Sequence, residues 1–121
     1  MHSSQRSCVG CAVQNRNKLL KHLIGHLSTA VTHRILQEAI AEEILRKYYG
    51  KEAMHAMEKA IEYRKSINPP DTPISEDIRE RIMRNVRNEL QKRQAKGYPG
   101  LDFERIPVVT DAMLAECETP E

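Results

Sequence analysis

Residues 19–49 read LLKHLIGHLSTAVTHRILQEAIAEEILRKYY, and their reading decides the fold class. The stretch holds no proline and a single glycine, Gly25. Its residues are mostly good helix formers: Leu, Ala, Gln, Glu, Lys and Arg. As one helix it would run roughly 45 Å. At helical spacing Leu20, Leu23, Ile24, Leu27, Val31 and Ile35 share one face, the pattern of an amphipathic helix with a core side. Past Ile35 the stripe changes face. Leu36, Ile40, Ile44 and Tyr48 fall nearly opposite, while Leu45 and Tyr49 stay near the original side. A break near Gly25–Thr29, with Ser28 or Thr29 as cap, is one solution. A single long helix that packs on its own chain with one half and on another surface with the other is the second. It is favoured here because no proline forces a break.

His22, His26 and His33 form a narrow arc on the same helix, opposite Leu20 and Leu27 and in line with Ile40 and Ile44. By spacing alone this is a polar outer face.

A chain of 121 residues is one domain by length. Trp is absent and there are one Phe and four Tyr, so the core must come from Leu, Ile, Val, Met and Ala rather than aromatic rings. The net charge of +2 hides an asymmetry. No acid precedes Glu38, whereas Arg6, Arg16, Lys18, Lys21 and Arg34 do. From Tyr98 onward Arg105 stands alone against six carboxylates. Such a split marks a contact with an anionic partner or between the two ends of the chain. The first residues lack the apolar run of a signal peptide, and no run approaches membrane-spanning length. The expectation is a cytoplasmic protein with no membrane partner.

Residues 1–17 are polar and without helical period. Gly50 reads as a helix stop. Residues 52–66 form a second helix with Ala53, Met54, Met57, Ala60 and Ile61 as its stripe. Residues 68–73, with Pro69, Pro70 and Pro73, make a semi-rigid turn. Ser75 caps a third helix, with Glu76 and Asp77 in its first turn and Lys92, Arg93 and Lys96 at its end. Its core face is Ile78, Ile82, Val86 and Leu90, with Met83 beside them, and Gly97 ends it. Residues 98–109 read as extended chain because of Pro99, Gly100 and Pro107, and Thr110 caps a short helix over 111–117.

The fold class is therefore all-α, with three main helices (about 18–49, 52–66 and 75–96), a short C-terminal helix and an extended tail. Residues 1–97 form a helical domain with a polar Cys-containing arm. Residues 98–121 form an acidic docking tail.

Cys8-x2-Cys11-x10-His22-x3-His26 is the most specific constellation. Zinc takes four thiolate or imidazole ligands in a tetrahedron. A C-x-x-C turn supplies two, and a His pair at i, i+4 supplies two more from one helix face. The middle gap of ten residues falls short of the roughly twelve of C2H2 fingers, so the pattern is a candidate structural metal clip rather than a finger. An iron–sulfur cluster with Cys117 falls one cysteine short. Glu52-x-x-His55 resembles half of a di-iron motif, but His55 points away from the Ala53, Met57 and Ala60 face, and no second copy of the motif exists. The arginines of the third helix interleave with acids, as on a solvated face carrying i, i+4 pairs. No nucleophile elbow, phosphate-binding glycine loop or dinucleotide fingerprint is present.

The sequence thus points away from an enzyme. It points to a small accessory or regulatory subunit that binds another protein or its own copy as a homo-oligomer, with Ile40, Ile44 and Tyr48 as the contact and zinc as a candidate cofactor. The alternative is a nucleic-acid-binding regulator using Arg6, Arg16, Lys18, Lys21 and Arg34. A metal-dependent enzyme is the third reading.

Overall fold

The computed structural model describes residues 6–67, 75–98 and 100–118, with side chains from residue 17 onward. Among the described residues there are four helices: α1 Arg6–Ala39, α2 Glu43–Ser66, α3 Glu76–Ala95 and α4 Arg105–Glu118. No strand occurs among the described residues. The all-α class and the sequence of three main helices plus a short last one are as the sequence indicates. The boundaries differ in three places, each for a physical reason.

First, the organising stretch is two helices. α1 continues without interruption through Gly25–Thr29 and ends at Ala39. Ile40 N–H still reaches Leu36 O at 3.1 Å. Glu42 then turns extended (φ −68°, ψ 123°) and its carbonyl accepts from Arg46 N–H, opening α2. Neither glycine nor proline stands at this break. Packing explains it: folded back, the Tyr49, Ala53, Met57 and Ala60 face of α2 meets the α1 face carrying Leu23, Leu27 and Ala30, and all seven are buried. A straight helix would leave these stripes on different sides of one rod. Glu43 sits in the first turn of α2, where the helix dipole favours an acid.

Second, Gly50 lies inside α2 rather than at a helix stop. A Cβ built there would stand 2.7 Å from Gln37 Nε2, so the missing side chain is what lets the α1 side chain lie close across the hairpin. The backbone of residues 6–17, read as a polar arm, is likewise helical. Elongation from a formed helix fixes one residue per added hydrogen bond and needs no stripe of its own.

Third, the short last helix starts at Arg105, earlier than the expected 111, and packs into the core. Asp102 organises the start: its carboxylate accepts from Glu104 N–H at 3.0 Å and its carbonyl from Arg105 N–H at 3.1 Å. Pro107 falls in the first turn, where its missing N–H costs nothing. Ile106, Val109, Thr110, Met113 and Cys117 are all buried. Within the docking tail expected over 98–121, Arg105–Glu118 is therefore helical rather than extended, and its apolar residues complete the interior. The Pro69–Pro73 turn lies outside the described residues.

α1 is the centre of the bundle. α2, α3 and α4 all pack on it, and α4 also touches α2 and α3. α3 behaves as its sequence indicates. Ser75 Oγ accepts from Ile78 N–H at 3.3 Å, and Ile82, Val86 and Leu90 are fully buried. At its end Gly97 adopts φ +101°. Gly97 N–H bonds to Gln94 O at 3.0 Å and Tyr98 N–H to Arg93 O at 3.1 Å, a Schellman closure.

Two polar ties fix the helices in place. Arg64, a buried residue of α2, reaches Glu118 Oε1 at 3.1 Å and pins the end of α4. Arg105 makes a two-pronged contact to Glu38, both bonds 2.9 Å, and pins the start.

Candidate interaction surface

Large apolar side chains on a monomer's surface mark contact sites when they cluster. Here they cluster on α2. Ile44 is 74% exposed, Met54 58% and Tyr48 53%, while Tyr49 between them is buried. Local geometry dictates this division. The face of α2 that carries Tyr49, Ala53, Met57 and Ala60 is taken by α1 and α4, so Ile44 and Tyr48 point the other way. Of the three residues expected at an interface, Ile44 and Tyr48 are therefore free on the surface. Ile40 is half-buried and packs against the core at the α1–α2 turn.

Met54 also borders a cleft of about 740 Å³. Met54, Met57, Ile61 and Met113 supply its apolar lining, and Gly50 and Ala53 lie in its wall. Arg46 stands near the α1–α2 turn and Arg34 lies alongside from α1. Glu58 and Glu116 flank the far part. Among the described residues the ion pairs use other groups and leave these four out. Glu38 also lines the cleft, but Arg105 holds its carboxylate. The sequence reading missed this cleft. Met54, Met57 and Ile61 recur at helical spacing and read as core, and Met113 sat in a segment read as tail.

The histidines sit on the side of α1 away from this cleft. His22 and His26 lie nearly parallel to Tyr63 of α2, with ring centroids 5.1 and 5.3 Å away. His33 is half-buried against Tyr49 at 5.5 Å. Tyr49 is the centre of a polar knot that closes this end of the bundle: Arg93 Nη1 donates to its hydroxyl at 3.3 Å, and the two hydroxyls of Tyr49 and Tyr98 lie 3.2 Å apart. The Arg93 guanidinium also lies 5.7 Å from the Tyr98 ring centroid. Burial, with Arg93 beside it, holds the His33 pKa below its usual value. His33 Nδ1 is buried without a partner, so the charged form would carry an unsatisfied buried donor. Burial, with Lys59 and His22, also lowers His26.

The proposed metal ligands do not converge in this conformation. With α1 helical from Arg6, the helix rise puts Cys11 about 16 Å and Cys8 about 21 Å from His22 along the axis. A single zinc binds its ligands at about 2.0–2.3 Å, so one ion joining all four would require α1 to unwind between them. The thiol side chains lie outside the described residues. Among the described residues no three or more His, Cys, Asp or Glu gather as a metal site. Cys117 is buried between α2 and α4, its thiol directed at Ala60 O at 3.7 Å. Burial raises its pKa to about 11, which keeps it protonated and a poor ligand or nucleophile.

Of the basic residues put forward for nucleic acid, Lys18, Lys21 and Arg34 are exposed, and Arg6 and Arg16 have side chains outside the described residues. Among the described residues no helix is long and apolar enough to cross a membrane. Compared with protein-family models, curated proteins and solved structures, the chain matches none.

Proposed function

We propose that this chain is a non-catalytic accessory or regulatory subunit that acts by binding another protein or its own copy. One observation carries the reading: Ile44, Tyr48 and Met54 are each more than half exposed on one helix, and Met54 also lines a cleft with Met57, Ile61 and Met113. Methionine adapts to irregular partner surfaces because it is unbranched and polarizable. At 74% exposure Ile44 is not held apolar by the core.

The test is Ile44→Asp. The side chain is outside the core, so the variant keeps the helical circular dichroism signal and the melting temperature of the wild type. Its association, read by light scattering and by recovery of whatever protein co-purifies with the wild type, is lost. A wild type that is monomeric and binds no protein, or an Ile44→Asp variant that associates as before, overturns the reading.

Nucleic-acid binding is the second reading. It draws on the basic N-terminal third, where Lys18, Lys21 and Arg34 are exposed, with Arg81, Arg84, Arg87 and Lys92 exposed on α3 beside it in support. Co-purifying nucleic acid and a steep fall of affinity with salt would favour it.

A further inference from the structure

We infer that the cleft between α2 and α4 is a docking groove for an amphipathic helix of a partner protein, one with an apolar stripe and opposite charges at its two ends. The inference rests on the interaction reading above and names the class of partner.

Two features select this occupant. The lining is apolar and adaptable: Met54, Met57 and Met113 account for three of the chain's five methionines. Grooves that receive helices use such side chains, which repack around apolar anchors spaced three and four residues apart. The second feature is the charge order. Arg46 marks the end near the α1–α2 turn. Glu58 lies twelve residues further along α2, about 18 Å by helix rise. Glu116 joins Glu58 from α4: its neighbour Cys117 directs its thiol to Ala60 O, which places Glu116 beside that part of α2.

The groove is thus basic toward one end and acidic toward the other, and Arg105 neutralises Glu38 between them. A uniformly acidic or basic segment would meet a like charge at one end. A helix of three to four turns, with carboxylates from the Arg46 end to Arg34 at the middle and ammonium or guanidinium groups over Glu58 and Glu116, meets none. Charge complementarity of this kind sets partner choice and register more than raw affinity.

The experiment uses the full chain with ¹³C-methyl methionine and synthetic helical peptides of about fourteen residues, long enough to span the groove. One peptide carries leucines at three- and four-residue spacing, glutamates at one end and lysines at the other. Two controls carry glutamates or lysines at both ends. Met83, on α3 and outside the groove, is the internal reference. Titration with the mixed-charge peptide shifts the methyl signals of Met54, Met57 and Met113 and leaves Met83 in place. It binds at least about fivefold more tightly than either control, the scale of one or two exposed charge contacts. Met54→Asp, at an exposed position, keeps the fold and weakens binding about tenfold or more, as loss of a central apolar anchor does. Arg46→Glu removes the preference for the mixed-charge peptide.

Methyl shifts that include Met83 equally, or no binding, overturn the groove. Shifts of the three groove methyls on concentrating the chain alone also overturn it, because the occupant is then a second copy. If Ile44→Asp still abolishes association while no peptide binds, the interaction reading stands and the groove assignment fails.

Discussion

Gly25→Ala tests the feature on which the architecture depends, the continuity of α1. Gly25 lies in the middle of that helix with an ordinary helical backbone, and a Cβ added there would meet nothing within 4 Å. No packing term opposes the substitution. What remains is intrinsic: alanine is favoured over glycine in a helix interior by about 0.8–1.0 kcal/mol, because glycine loses more backbone freedom on folding. The variant should be more stable by about 1 kcal/mol, which for a chain of this size raises the melting temperature by roughly 3–6 °C. Urea unfolding followed at the helical circular dichroism band gives the free energy directly, with an unchanged slope showing that the folded state is the same. Gly97→Ala is the matched control with the opposite sign. At φ +101° an added Cβ is strained, and the α3 closure should lose about 1 kcal/mol or more. An α1 broken at Gly25–Thr29 with Gly25 in a turn conformation would make Gly25→Ala neutral or destabilising, and that result would refute the continuous helix.

Two further outcomes follow from burial. Ile106→Ala should destabilise by about 2–5 kcal/mol, because Ile106 is fully buried where α4 starts. Val108→Ala, at a position 52% exposed, should stay within about 0.5 kcal/mol; equal effects in denaturant would mean that α4 is not docked as described. The pKa values of His33 and His26 are held below the ordinary value, so their contribution to stability is fully present above the unfolded pKa of about 6.5. It is lost as pH falls through the folded values. Unfolding free energies between pH 7.5 and 5 should fall with pH, and less steeply in His33→Gln; an identical slope would show that His33 is not the titrating group.

α3 was legible in sequence almost residue for residue, and the reason is local. Ser75, Glu76, Asp77 and Gly97 act on their own backbone or its dipole, and Ile82, Val86 and Leu90 repeat on one face. No information from elsewhere in the chain is needed. The turn at Ile40–Glu42 was not legible in the same way, because no residue there dictates it. Only the change of face past Ile35 and the adjacent acids Glu42 and Glu43 hinted at two helices. The decision belongs to Tyr49, Ala53 and Met57, which are buried only when the chain folds back. α4 was half legible. Ile106, Val109, Met113 and Cys117 carry the helical period, but Pro107 reads as a breaker until the helix start is known. One residue's displacement of the start turns a prohibited interior proline into a permitted first-turn one.

The candidate site divides along the same line. Ile40, Ile44 and Tyr48 could be read as a separate face because the apolar stripe of residues 19–49 changes side past Ile35, and Ile44 and Tyr48 are indeed exposed. That change of side is a property of one stretch. The groove could not be read, because Met54, Met57 and Met113 become neighbours only through the packing of α4 beside α2. In sequence the methionines of α2 and α4 are separated by the whole of α3. The Cys8, Cys11, His22 and His26 set shows the converse. Its spacing in sequence suggests convergence, yet a continuous helix converts ten intervening residues into about 16 Å of separation. Short sequence spacing brings side chains together only across a turn, and in this chain the turn lies at Ile40–Glu42. It places Arg34 and Gln37 beside Gly50 and Ala53 along the groove, and the cysteines far from it along α1.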